Sequence, residues 1–223
     1  MKEIVITIDG PAGAGKTTVS RTLADRLGYR YIDTGALYRA VALTASRKGV
    51  RSADDAALGK LCRGLELQYV QTESGLRLLA NGEDVTEKLR TPEVTMLASA
   101  VSARPVVRRY LLDVQRAMGR RKGAVVEGRD MGTVVFPNAE VKFYLDAAEK
   151  TRARRRFLEL QSKSQLNLGE VEKDLRKRDT NDSTRSEAPL RPAVDAIRID
   201  STNMGIDEVV AVMLGYIERI KDV

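Results

Sequence analysis

Two hydrophobic periods trade places along the chain. Ile4, Val5, Ile6 and Ile8 form a β-branched run with almost no polar break, which predicts a strand buried on both faces. Residues 18–27 switch to helical spacing, and 29–32 make a second short strand. A helix follows over 36–48, with Leu37, Ala40, Val41 and Thr44 on one face, Thr34 placed to cap it and Gly49 to end it. The next stretch changes character. A short helix over 53–63 leads to strands at 65–70 and 76–79, joined by a polar turn at Glu73-Ser74-Gly75. Asn81-Gly82 marks another turn, and 84–88 reads as a third short strand. Helices are predicted over 92–103 and 105–119, the latter with Pro105 in its permitted first turn. Apolar runs at 124–127 and 141–145 are again strands. Residues 149–178 are strongly charged and helical, with a break near 167–169, and Ala188-Pro189 closes the region. A last strand at 196–199 and a helix at 206–220 complete the pattern.

Strand–helix alternation of this kind predicts an α/β fold with a doubly wound parallel sheet of about five strands and helices on both faces. Residues 1–223 read as a single domain, with a β-rich insertion over about 50–105 and an Arg-rich helical lid over about 149–186. No internal repeat is present. Polar or glycine-rich segments follow the strands at Gly10, Asp33, Arg129 and Ser201, the strand ends where such sheets collect ligands.

Composition narrows the chemistry. The chain has no histidine, which removes Ser-His-Asp catalysis, histidine acid–base steps and histidine metal sites. Its single cysteine, Cys62, cannot form an internal disulfide and reads as a small core filler, in keeping with a reducing cytoplasm. No apolar run approaches the ~20 residues that span a bilayer, and the start of the chain has no secretory leader pattern. The formal charge is +7. That excess could serve nucleic acid or a pocket for several phosphates. Aromatic residues are not interleaved with the basic ones, so we expect no nucleic-acid partner and no membrane partner.

Gly10-Pro11-Ala12-Gly13-Ala14-Gly15-Lys16-Thr17, between the first strand and its helix, fits the pattern G-x-x-x-x-G-K-S/T of the P-loop. Its glycines let the backbone wrap a phosphate, while amide N–H groups and the helix N-terminus face the anion. Lys16 would reach the β- and γ-phosphates, the Thr17 hydroxyl would ligate Mg²⁺, and Thr18 would extend the contact to ATP. The guanine-reading motif N-K-x-D of GTPases is absent, and the chain is small for a motor or transport ATPase. That leaves small-molecule kinases, whose phosphoryl transfer depends on positioning and charge and needs no histidine.

Four segments together resemble the bacterial cytidylate kinases, a branch of the nucleoside monophosphate kinases: the P-loop, Asp33-Thr34-Gly35-Ala36-Leu37-Tyr38-Arg39, the run from Gly128-Arg129-Asp130-Met131 through Val135, and Arg178 through Arg185. The resemblance covers essentially the whole chain. It implies transfer of the γ-phosphate of ATP to CMP or dCMP with Mg²⁺. It assigns Thr34, Arg39 and Arg129 to the acceptor's phosphate, and Asp130, with Arg108 and Ser99, to cytosine. A carboxylate can accept from the N4 amino group, a pattern uracil reverses. It also places Arg178 and Asp182 near the acceptor's sugar and phosphate, with Arg185 on the phosphates. By spacing alone, Arg178, Asp182 and Arg185 share one helix face and could equally form an exposed ion-pair ladder.

Asp33 and Glu127 are candidate Mg²⁺ partners through water, since Glu127 ends an apolar strand where relatives commonly carry Asp. Asp9 could join them or serve only to fix the P-loop. In the lid, Ala153, Phe157 and Leu160 form an apolar stripe flanked by Arg152, Arg154 and Arg156, while Arg155 points away; one or two of these arginines could reach ATP. Lys16, Arg129 and Arg185 are the expected catalytic cations. We expect a monomer. A kinase for another metabolite, an RNA-binding nucleotide switch and a scaffold without turnover are the competing readings.

Overall fold

The computed structural model describes residues 3–73, 75–161 and 166–221. In chain order the elements are β1 (Val5–Asp9), α1 (Lys16–Leu27), β2 (Arg30–Asp33), α2 (Thr34–Arg47), α3 (Asp55–Arg63), β3 (Leu67–Thr72), β4 (Gly75–Ala80), β5 (Glu83–Asp84) and a 3-10 turn (Thr86–Arg90). They continue with α4 (Pro92–Ser102), α5 (Pro105–Gly119), β6 (Ala124–Glu127), a π-helical turn (Met131–Val135), β7 (Val141–Asp146), α6 (Glu149–Leu160), α7 (Leu168–Thr184), β8 (Ile197–Asp200) and α8 (Ile206–Lys221). The elements group into two compact units: the chain up to Asp33 together with Met118 onward, and Thr34–Ala117.

The first unit is built on a five-stranded parallel sheet in the order β2-β6-β1-β7-β8. β1 is central and every residue of it is buried, which is why its sequence carries no amphipathic alternation. Ile4, Ile6 and Ile8 meet Val19 and Leu23 of α1, Val209, Val210, Met213 and Ile217 of α8, and Phe143 of β7 in one core. The opposite face of β1 carries Thr7 and Asp9, and there the π-helical turn crosses on its way from β6 to β7. The strand order reverses about β1, so the β1–α1 loop opens at the switch point where α/β sheets bind ligands. A smaller cluster of Ala12, Ala153, Val171 and Leu175, extended by Phe157 and Leu160, packs α6 and α7 beside that loop.

The second unit contains the antiparallel sheet β3-β4-β5 and helices in which Leu37, Ala40, Val41, Leu58, Val101 and Leu111 are buried. α3 begins where the Asp54 carboxylate accepts the Ala57 N–H, and α4 where the Thr91 hydroxyl accepts that of Val94.

Several boundaries differ from those the pattern predicts. The third insertion strand holds only Glu83 and Asp84, because the Asp84 carboxylate accepts the Thr86 N–H and turns the chain into the 3-10 turn. α2 begins at Thr34 itself, so strand passes directly into helix and Thr34 is the first helical residue rather than a cap preceding it. α7 starts at Leu168 behind a reciprocal capping box of Asn167 and Glu170, which puts Gly169 in the first turn of the helix rather than in a break. It also runs past 178 to Thr184, and Arg185 is already extended. Ser74, in the expected β3–β4 turn, lies outside the described residues.

Candidate active site

The β1–α1 loop wraps because it must avoid two backbones. A side chain at Gly10 (φ +146°) would bring its Cβ within 1.9 Å of the Leu145 carbonyl oxygen, and one at Gly13 within 2.8 Å of that of Arg152. Gly15 takes a left-handed conformation (φ 89°) and leads the chain into α1, whose first amides have no carbonyl partner within the helix. Lys16, the first residue of α1, is buried and its ammonium donates to the Pro11 carbonyl across the loop (2.6 Å). Burial, reinforced by the Arg129 guanidinium and opposed by Glu127, Asp182 and Asp9, brings the Lys16 pKa down to about 7. Such an ammonium is poised for an anion that would restore its charge. Pro11, Ala12 and Ala14 are buried, and Thr18 is exposed one step into the helix.

At the end of β6 the Glu127 carboxylate gathers two hydroxyls on Oε1: Thr17 Oγ1 donates at 2.8 Å and the Tyr31 hydroxyl at 2.7 Å. Asp33 stands beside it in register on β2. Burial, then the neighbouring Asp33 charge, raises the Glu127 pKa. Among the described residues no group of three or more His, Cys, Asp or Glu could hold a metal alone, so an ion here would depend on oxygens brought by a phosphate ligand. Asp9 is turned elsewhere. Its two oxygens accept the Met131 and Gly132 N–H groups at 2.9 and 2.8 Å, fixing the π-helical turn rather than completing a metal site. Burial pushes its pKa up to about 6 against the pull of those amides.

The π-helical turn in turn sets Arg129 and Asp130. Arg129 Nε donates to Asp182 Oδ2 of α7 at 2.8 Å and its Nη1 to the Gly128 carbonyl at 3.1 Å. Arg185 follows α7, anchors its Nε on the Ala188 carbonyl (2.7 Å), and brings Nη2 to 3.4 Å from Asp130 Oδ1 and Nη1 to 3.8 Å from Asp182 Oδ1. Burial resists charge on both partners, yet Asp182 holds the Arg129 guanidinium above its ordinary range and Arg129 holds the Asp182 carboxyl below its own. Arg129, Asp130, Asp182 and Arg185 therefore form one charged cluster at the strand ends beside Lys16. Arg178, a turn before Asp182 on α7, is half-buried.

The lid arginines divide differently from their helical spacing. Arg152 is buried: its Nη1 donates to the Ala12 carbonyl (3.0 Å) and to Asp179 Oδ2 (2.6 Å), and its Nε to the Ala147 carbonyl (2.9 Å). Arg155 does not point away. It donates to Ser201 Oγ (3.0 Å), the Ser201 carbonyl (2.7 Å) and the Ala14 carbonyl (3.4 Å), because α6 is packed on two sides, by α7 and by the P-loop with the β8–α8 turn. Arg156 pairs locally with Glu159, and Arg154 is exposed. Tyr31 and Asp179 carried no motif signal, and Ser201 was marked only by its place after a strand; an interior arginine and a tyrosine within a strand reveal their partners only once the chain is folded.

The second unit holds the remaining expected residues. Thr34 is buried at the start of α2 and Arg39 is half-buried further along it. Arg108 of α5 is buried, donates through Nη1 to the Ser102 carbonyl at the end of α4 (3.2 Å) and lies 5.7 Å from the Tyr38 ring centroid. The Ser102 hydroxyl donates to the Ser99 carbonyl at 2.9 Å, so Ser102 is bonded both to Ser99 and to Arg108.

A family model described as cytidylate kinase matches residues 6–219. The cytidylate kinase of Geobacter sulfurreducens is 53% identical over 92% of this chain and 89% of its own. That of Syntrophotalea carbinolica is 48% identical over 100% and 95% respectively. Among solved structures, a gluconokinase from Sinorhizobium meliloti aligns with a TM-score of 0.50 at 14% identity, covering 98% of this chain and 93% of that one, which is a likeness of fold alone.

Proposed function

The chain belongs to the cytidylate kinase family, and we propose from that membership and from the charged cluster beside the P-loop that it transfers the γ-phosphate of ATP to CMP or dCMP. The products are ADP and CDP or dCDP. The observation that carries the reading is the adjacency of two anion-binding arrangements in one unit. One is the P-loop with its buried Lys16; the other is the set Arg129, Asp130, Asp182 and Arg185. A donor triphosphate and an acceptor monophosphate are what such a pair suits.

Gly10 through Thr18 would hold ATP, with Lys16 on its terminal phosphates. Arg129 and Arg185, with Arg178 and Asp182, would hold the acceptor's phosphate and sugar, and the family assignment adds Thr34 and Arg39. Asp130 would accept from the cytosine amino group, and Ser99 and Arg108 would serve the same base. The acceptor's phosphate oxygen attacks the γ-phosphorus, a P–O bond forms, and the bond to the β-phosphate oxygen breaks to release ADP. No general base is needed, because that oxygen is anionic at neutral pH.

Thr17, Glu127 and Asp33 offer oxygen donors only, which suits Mg²⁺, a hard cation that keeps several waters. Mg²⁺ would neutralise charge on the phosphates; Thr17 would touch it, with Glu127 and Asp33 acting through water. In this reading the whole chain is one kinase domain. Residues of about 50–105 form the monophosphate-binding insertion and those of about 149–186 the lid. The enzyme is a cytoplasmic monomer, and no described helix is long and apolar enough to cross a membrane.

Coupled ADP-release measurements over CMP, dCMP, UMP and AMP test the reading. CMP and dCMP should be the best acceptors. A preference for AMP or UMP would remove the role given to Asp130, and specific RNA binding at physiological salt without CMP-dependent ADP release would replace the kinase reading altogether.

A further inference from the structure

Tyr31 lies outside every motif, yet it shares an oxygen with the nucleotide loop. β2 and β6 run parallel, with Tyr31 opposite Val125 and Asp33 opposite Glu127. Side chains two apart on a strand share a face, so the Tyr31 ring lies along the same face of the sheet as Glu127. Its hydroxyl donates to Glu127 Oε1 at 2.7 Å, and the same oxygen accepts the Thr17 hydroxyl at 2.8 Å. On the far side of the ring the Arg21 guanidinium sits 5.1 Å from the centroid, so α1 pins the phenol as well.

We propose that Tyr31 is a positioning residue for the metal–nucleotide site, holding the Glu127 carboxylate where it accepts the hydrogen bond of the Thr17 hydroxyl. The inference rests on the reading of Thr17 and Glu127 as the Mg²⁺-facing groups. A hydroxyl has one proton to donate and lone pairs to offer. When the Thr17 hydroxyl donates its hydrogen bond to Glu127, its lone pairs are left for a cation. A glutamate has one more rotatable bond than an aspartate at this strand end and so more orientations to lose. The Tyr31 hydroxyl restricts them.

Calorimetric titration of ATP into the full-length protein, with Mg²⁺ and separately with excess chelator, tests this for wild type, Tyr31→Phe, Glu127→Ala and the double variant. Tyr31→Phe keeps the ring and its contact with Arg21. It should weaken ATP binding in Mg²⁺ about tenfold, the lower end of what outer partners of a metal site contribute, and leave binding in chelator unchanged. Adding it to Glu127→Ala should change nothing further, since the carboxylate it orients is gone. If Tyr31→Phe has no effect in Mg²⁺, or weakens binding equally in chelator, or adds its full effect to Glu127→Ala, Tyr31 does not act through Glu127. If instead Glu127→Ala leaves the Mg²⁺ dependence of ATP binding intact, the metal-site reading itself fails and the inference goes with it.

Discussion

At the scale of single residues, the buried carboxylates carry the sharpest expectations. Asp130 meets Arg185 at 3.4 Å with both side chains almost fully enclosed, so it is a buried, paired carboxylate rather than a surface charge. Asp130→Ala should lower kcat/KM for CMP by about a hundredfold or more while ATP affinity, measured by calorimetry, is retained. An equal collapse of ATP affinity would place Asp130 in the donor site or in folding. Asp9 gives a pH signature. Its pKa is about 6 in the folded protein, mainly through burial, against an ordinary value of 3.8. The folded state therefore binds more protons between pH 4 and 6, and stability from this group falls as pH rises through that window. Urea unfolding should show wild type losing about 2 kcal/mol relative to Asp9→Asn between pH 4 and 7, an order-of-magnitude figure at about 1.36 kcal/mol per pKa unit. Asp130 and the P-loop residues stood out as candidates in the sequence, the P-loop by its motif and Asp130 by the family resemblance. The service Asp9 gives to the Met131 and Gly132 amides was not, because those residues are more than a hundred positions away in the chain.

Among the elements, α6 shows how far periodicity reaches. The apolar stripe of Ala153, Phe157 and Leu160 is where the spacing puts it, packed on Val171 and Leu175 of α7. The same spacing treats the arginines as a solvated rim, and two of them are used inward. Arg152 ties the P-loop carbonyl of Ala12 to Asp179 of α7, so that loop is fastened to the helix that carries Arg178 and Asp182. Removing the charge strands Asp179 beside the P-loop. Arg152→Met should destabilise the fold by about 3 kcal/mol in chemical denaturation, in line with breaking a buried ion pair, and should weaken ATP binding with it. An unchanged unfolding midpoint would make Arg152 a mere lid charge. Elsewhere the capping box of Asn167 and Glu170 could be read in the sequence as N-x-x-E, and it moves the start of α7 to Leu168.

Taken whole, the molecule places part of its positive charge inside. Arg152 and Arg185 are nearly enclosed and Arg129 mostly so, each against a carboxylate. The parallel sheet, the placement of the P-loop after its first strand, and the kinase class were determined by local signals. β-branched runs make buried strands, glycines mark the loop that must wrap an anion, and the four motif segments keep their order along the chain. What only the tertiary structure decided is which distant side chains share an oxygen or a proton: Tyr31 with Thr17 on Glu127, Arg152 on Ala12 and Asp179, Arg155 on Ser201. Such pairings depend on strand order and helix packing, and the strand order here, β2-β6-β1-β7-β8, sets side by side residues that no spacing rule relates. Periodicity reports which face of an element is buried; what it is buried against is a property of the folded chain.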